Sequence, residues 1–282
     1  MDEFKLFTTL RYDPALLAVP EQGFTNLGWN QRPSPFYILD YHRDRMLQAA
    51  THFRWEAAVK LISGEEGLRR LEEYLDTAAS SFSHVPHRVK VTLGRDGQLA
   101  HEAAPINNVP LQNLFPTALP GLLVTDVQGD RFDHGEKVAT RGAEWQVLVD
   151  GKSTESSEYT HFKTTERRVY DDARNRVELR PTDMREVLLV NATNGQVMEA
   201  SLTTPYFWRG GKWVTPPVPR NFVQGEGSGG NNGTSRRWAL ERGLAIEEAT
   251  LANDLVDGEE CWLSNGARGF MPGRVKLPES LK

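Results

Sequence analysis

Four kinds of residue in this chain could do chemistry: a lysine, a glutamate, a pair of hydroxyls and an arginine. Lys163 stands in "THFKTTERRVYDDARNR", after Phe162 and before two threonines, at the mouth of an expected helix over Lys163 to Arg176. An amine held away from water and near positive charge gives up its proton and can attack an aldehyde. A lysine in water stays charged and cannot, and exposure is its usual fate. Glu199 closes the apolar run of "VMEASLTT". A carboxylate there is either a solvated edge residue or an anion that holds a proton on a ring nitrogen. The stretch "GEGSGGNNGTSRRWALERG" runs glycines into Thr234, Ser235 and a helix. Free N–H groups at a helix start, with glycines that let a ligand approach the backbone, suit a phosphate. The same residues also read as an ordinary N-cap after a loop. The lysine of a P-loop is missing, so a phosphate monoester fits better than a nucleoside triphosphate. Arg45 in "HRDRML" lies three residues after His42 near a helix start. It could grip a phosphate with two N–H groups, or it could be solvated.

The elements that must position these residues follow from periodicity and turn signals. "KLFTTLRYD" reads as a strand. "FYILDYHRDRMLQAATHFRWEAA" reads as a short strand entering a helix, with Met46, Leu47, Ala50 and Phe53 at helical spacing. "EEGLRRLEEYLDTAAS" is an amphipathic helix with Leu68, Leu71 and Leu75 on one stripe. "HRVKVTLGRDGQL" alternates and turns, which marks a strand and hairpin. "APINNVPLQNLFPTALPG" carries four prolines and no period, and is the expected linker. Beyond it, "GLLVTDV" and "EWQVLVD" read as strands. "EVLLVNATNGQVMEASL" is a hairpin about Asn194-Gly195, and "YFWRGGKWVTPP" is a second about Gly210-Gly211. "LAIEEATL" and "EECWLSN" complete the strands. The mixture is α+β with two subdomains: residues 1–112, a linker at 113–120, and residues 121–282.

Whole-chain properties narrow the class. The 282 residues can form one large domain or two of ordinary size. A net charge of −5, with both signs mixed, argues against a nucleic-acid partner. A single cysteine, Cys261, excludes an intrachain disulfide framework and suits a reducing compartment. The start "MDEFKLFTTLRYDP" has no secretory pattern, and no apolar run is long enough to span a bilayer. A cytoplasmic protein with no membrane association is expected.

Together these residues resemble the pyridoxal-phosphate enzymes of fold type IV, the class IV aminotransferase family. That family includes branched-chain and D-amino-acid aminotransferases and 4-amino-4-deoxychorismate lyases. The order is Arg in H-x-x-R, a lysine before a helix, Glu-Ala-Ser after a hairpin, then glycine, two hydroxyl residues and arginine. "LFTTLRYD" is similar to the end of the family's Y-G-D-G-x-F-T-T stretch, and "HRVKVTLGRDG" to one of its strands. "GEECWLSNGARGFMPGRV" and "EASLTTPYFWRGGKWVTPP" resemble the lyase members, the latter the fungal type. The resemblance implies a two-domain fold, with a small N-terminal α/β domain and a larger β-rich cofactor domain.

It also implies roles. Lys163 would carry pyridoxal 5'-phosphate covalently. Glu199 would pair with the ring nitrogen. Arg45, Thr234 and Ser235 would hold the phosphate. Arg268 would meet a carboxylate of a small anionic substrate. No metal is called for, and a homodimer is implied. The expected activity is a lyase that expels pyruvate, with an aminotransferase on the same scaffold as the alternative. The chain departs from the family pattern at Thr204-Pro205, where many members carry Asn, and at Glu166, where bacterial lyases carry Asn.

Overall fold

A computed structural model describes residues 4–19, 33–120, 139–140 and 142–279. The strand expected from "GLLVTDV" lies outside the described residues. The chain divides into two compact units. One comprises residues 1–109 and 162–166, and the other residues 110–161 and 167–282.

The first unit holds a three-stranded antiparallel sheet of β1 (Leu6–Tyr12), β2 (His87–Leu93) and β3 (Leu99–Pro105), in the order β1-β2-β3. β2 alternates buried and half-buried residues along its length, as a strand with one covered face must. Three helices belong to this unit: α1 (Leu39–His52), α2 (Glu56–Ile62) and α3 (Gly64–Ala79). In α3 the stripe that buries is Gly67, Leu71, Leu75 and Ala78, while Leu68 is only half-buried. The strand expected before α1 is reduced to one bridge, Tyr12 with Phe36. Ile38 then adopts a left-handed backbone at φ 43°, which ends any extended run and starts the helix.

Residues 162–166 join this unit by pairing with its first strand. Phe7 N–H donates to Lys163 O at 3.0 Å, and Thr165 N–H donates to Lys5 O at 2.8 Å. Leu6 and Thr164 form an antiparallel bridge. The segment therefore lies along the edge of β1 opposite β2. This corrects the expected helix over Lys163 to Arg176, because the helix begins only at Arg168. Two successive β-branched threonines favour extended backbone, and the strand edge offers the partners that a helix would otherwise supply.

The second unit is built on a mixed sheet. Its elements in chain order are α4 (Leu111–Leu114), β4 (Trp145–Val149), α5 (Glu158–His161), α6 (Arg168–Arg176), β5 (Arg185–Val190) and β6 (Val197–Ala200). They continue as β7 (Thr204–Arg209), β8 (Lys212–Thr215), α7 (Thr234–Glu241), β9 (Ile246–Glu247), β10 (Glu260–Asn265) and β11 (Gly269–Lys276). The strand order is β6-β5-β4-β11-β10-β7-β8-β9. β4 pairs parallel with both β5 and β11. The run "VLLV" in β5 is apolar throughout because both faces of the strand are covered. Leu188 and Val190 enter a core with Val147, Phe207, Leu263 and Val275. Val187 and Leu189 pack on the other side with Tyr170 and Ala173 of α6.

The segment expected as a linker, 113–120, contributes to this unit. Leu114 and Phe115 are buried, and Asn113 donates to Phe270 O at 3.1 Å. The Asn113 carbonyl also approaches the β10–β11 turn so closely that a Cβ on Gly269 would lie 2.2 Å from it, at φ +65°. Only glycine fits there. β11 itself escaped the sequence reading because its proline and two glycines look like turn residues. In the fold it is central, with Pro272 opposite Trp262. Among the described residues no helix is long and apolar enough to cross a membrane.

Candidate active site

In the first unit the structure gathers two of the expected site residues, Lys163 and Arg45. The pairing of residues 162–166 with β1 sets Lys163 beside Phe7, and its ammonium lies 5.0 Å from the centre of that ring. One residue along β1, the buried Thr8 receives a hydrogen bond from Arg45 Nη2 at 2.7 Å. The same Thr8 hydroxyl is 2.6 Å from His42 Nδ1. A hydroxyl has one proton and two acceptor lone pairs, so Thr8 accepts from Arg45 and still bonds the imidazole in either tautomer. His42 is wholly buried, and its pKa is held well below 6.5. Burial is the largest cause, followed by the positive charges of Arg45 and Lys163. A neutral imidazole is thus built in beside two cations. Neither Thr8 nor His42 was assigned a role from sequence, although His42 belongs to the same "HRDRML" stretch as Arg45.

In the second unit Glu199 is the penultimate residue of β6 and is half-buried. Its Oε1 receives the Tyr170 hydroxyl at 2.6 Å and the Asn231 backbone N–H at 3.1 Å. Tyr170 is contributed by α6, and the Arg167 guanidinium stacks over its ring at 4.2 Å. Burial, and then the negative charge of Glu199, push the phenol well above its ordinary pKa of 10. Tyr170 therefore stays a neutral donor to the carboxylate. The turn that follows Glu199 is fixed from below by Glu186, which is 1% exposed. Glu186 accepts from the Ser201 hydroxyl, from Leu202 N–H at 3.0 Å and from the Thr203 hydroxyl at 3.1 Å. A buried carboxylate with this many donors anchors the loop rather than straining it.

The glycine-rich segment serves this site through packing. A Cβ on Gly230 would lie 2.4 Å from Met198 O, so the loop can press against β6 only because that residue is glycine. This close approach brings the Asn231 N–H onto Glu199. Asn231 Nδ2 is tied at the same time to His161 O at 2.7 Å. Thr234 and Ser235 then open α7, whose first turn has no side-chain cap. Thr234 is 3% exposed and Ser235 is 1% exposed. Ser235 Oγ is 2.8 Å from Ser264 Oγ. Arg268 sits on the β10–β11 turn, with its guanidinium 5.3 Å from the Trp145 ring centre. The Asn265 side chain shapes this turn by accepting from the N–H groups of Ala267 and Arg268, at 3.0 and 2.8 Å. The "SNGARG" stretch thus has a structural reason of its own.

Each unit by itself offers some of the groups that a phosphorylated pyridine aldehyde would need. Such a molecule needs an amine, an anion for its ring nitrogen and donors for its phosphate. Lys163 of the first unit is a candidate for the amine, and Glu199 of the second, with its two fixed donors, is a candidate for the anion. Arg45 and the uncapped start of α7 are the candidate phosphate donors.

Comparison with known proteins agrees with this chemistry. The family described as amino-transferase class IV matches residues 24–275. The aminodeoxychorismate lyase of Saccharomyces cerevisiae is 24% identical over 271 residues, covering 86% of this chain and 68% of that protein. A Schizosaccharomyces pombe protein named "Putative aminodeoxychorismate lyase" is 32% identical over 136 residues, covering 46% of this chain and 55% of that protein. The fold is shared with a Mycobacterium tuberculosis protein described as "A hypothetical aminotransferase", solved in a PLP-bound form. Its TM-score is 0.56 at 15% identity, over 97% of this chain and 81% of that one.

The buried imidazole makes a pH prediction. His42 has a lower pKa folded than unfolded, so the unfolded chain takes up the extra proton. Its contribution is intact above the unfolded value near 6.5 and is lost as pH falls toward the folded one. Urea unfolding between pH 7 and 5 should show stability falling by up to about 1.4 kcal/mol per pH unit from this group. The variant His42→Asn, which keeps an acceptor but cannot titrate, should have a slope shallower by that amount. Equal slopes would place the proton uptake elsewhere.

Proposed function

The chain belongs to the amino-transferase class IV family, and on that premise we propose that it is a pyridoxal-phosphate-dependent 4-amino-4-deoxychorismate lyase. It would expel pyruvate from its substrate and leave 4-aminobenzoate, a step toward folate. The observation that carries the cofactor reading is the Glu199 carboxylate, held at one oxygen by Tyr170 and by the Asn231 N–H. The choice of lyase is supported by similarity to the yeast enzyme across most of this chain.

Bound pyridoxal phosphate supplies the electron sink for a carbanion formed beside the substrate nitrogen. The chain's own residues do the rest. Glu199, as an anion, would keep a proton on the cofactor's ring nitrogen. Tyr170 cannot take the negative charge from Glu199, because its own proton is held by burial and by that same charge. Arg45 and the first turn of α7 bind the phosphate as charge-assisted and backbone donors. Lys163 would be the base that takes the proton from the carbon bearing nitrogen. It then returns a proton to the departing enolpyruvyl oxygen. The ring left behind is aromatic, which makes the step downhill without a second substrate. The substrate is a dicarboxylate, and Arg268 is the proposed partner for one of its carboxylates. We further propose a homodimer, which sedimentation showing only monomer at micromolar concentration would contradict.

The test is direct. The cofactor-loaded protein incubated with aminodeoxychorismate should release fluorescent 4-aminobenzoate and pyruvate in equal amounts. Lys163→Ala should lower the rate by at least about a thousandfold. Absence of aminobenzoate, with pyridoxamine phosphate accumulating from amino donors, would mark an aminotransferase instead.

A further inference from the structure

Three buried hydroxyls stand in a row in the second unit. The Tyr206 phenol oxygen is 2.8 Å from Ser264 Oγ, and Ser264 Oγ is 2.8 Å from Ser235 Oγ. Tyr206 is fully buried, and each serine is 1% exposed. Three hydroxyls carry three protons, and the row contains two bonds, so one proton is left over.

The position of that proton follows from chemistry. Ser264 is the only hydrogen-bond partner of the Tyr206 hydroxyl among the described residues. A phenol is a stronger acid and a weaker acceptor than an alcohol, and a buried O–H left unmade bears its full desolvation cost. Burial pushes the phenol far above its ordinary range, so it remains a donor. Tyr206 therefore donates to Ser264, and Ser264 to Ser235. The surplus proton is that of Ser235, the second residue of α7, at a helix start that no side chain caps. Each donor in a buried row polarises the next, which strengthens the last one.

We infer that Tyr206 is a positioning residue for a phosphate monoester: through Ser264 it turns the Ser235 hydroxyl into a committed donor at the start of α7. Tyr206 itself need not touch the ligand. This inference rests on the reading that α7 receives the cofactor phosphate, and it adds a residue to which the sequence reading gave no part in the site.

The experiment compares two ligands that differ only in the phosphate. Pyridoxal phosphate and pyridoxal are titrated by absorbance into the full chain stripped of cofactor. In wild type the phosphorylated compound binds more tightly. In Tyr206→Phe its affinity should fall about three- to tenfold, while that of pyridoxal stays within about twofold. Ser264→Ala, which cuts the row without altering the packing of the tyrosine ring, should give the same selective loss. In a Ser235→Ala background Tyr206→Phe should have no further effect, since the two changes act through one group. An unchanged ratio in Tyr206→Phe, an equal loss for both ligands, or an undiminished effect in the Ser235→Ala background would overturn the inference alone. Wild type binding neither ligand would overturn the cofactor reading, and the inference with it.

Discussion

One carboxylate oxygen at the end of β6 takes two donors, and much of the second unit is arranged so that it can. The Tyr170 phenol reaches it from α6, and the Asn231 N–H reaches it from the glycine-rich loop. Each donor depends on a packing decision elsewhere. α6 lies where it does because Tyr170 and Ala173 cover Val187, Leu189 and Met198. The loop lies where it does because Gly230 has no side chain to strike Met198. Beyond Glu199 the chain is caught by the buried Glu186, and Arg167 donates to Ser201 O at 2.7 Å. A carboxylate on a free strand end would swing in water. This one has a fixed direction, as electrostatic catalysis requires of its charges.

The first unit answers a different requirement. Here a lysine stands near positive charge and against an aromatic ring. Pairing with the free edge of β1 carries Lys163 to Phe7, close to Arg45 and a histidine that burial keeps neutral. An aromatic face is a mild partner for an ammonium, so it can be given up when the amine reacts. The lysine is placed by backbone hydrogen bonds of the five-residue segment around it.

How much of this was legible beforehand depends on range in sequence. Lys163, Glu199, Arg45 and Ser235 were singled out by their order along the chain and its resemblance to a family, since each taken alone also reads as an ordinary residue. The α+β class, the hairpin at Asn194-Gly195 and the helix after the glycines were legible because residue type and local context sufficed. The partners were not. Tyr170 meets Glu199 across 29 positions, and Ser235 meets Ser264 across another 29. No local pattern announces such a pairing. The helix start misread at Lys163 shows the same limit, since helical spacing in "RRVYDDARNR" was extended back over threonines that β1 claims. The glycines were read as room for a ligand, and Gly230 also makes room for β6. Pro272 hid β11, because a central strand tolerates proline only where its neighbours do not need that N–H.

The account stands or falls on which side chain holds the cofactor. Wild-type protein loaded with pyridoxal phosphate, reduced with borohydride and digested, should yield one labelled peptide, with the reduced pyridoxyl phosphate on Lys163. The label on any other lysine, or no label from protein that has bound the cofactor, would contradict it.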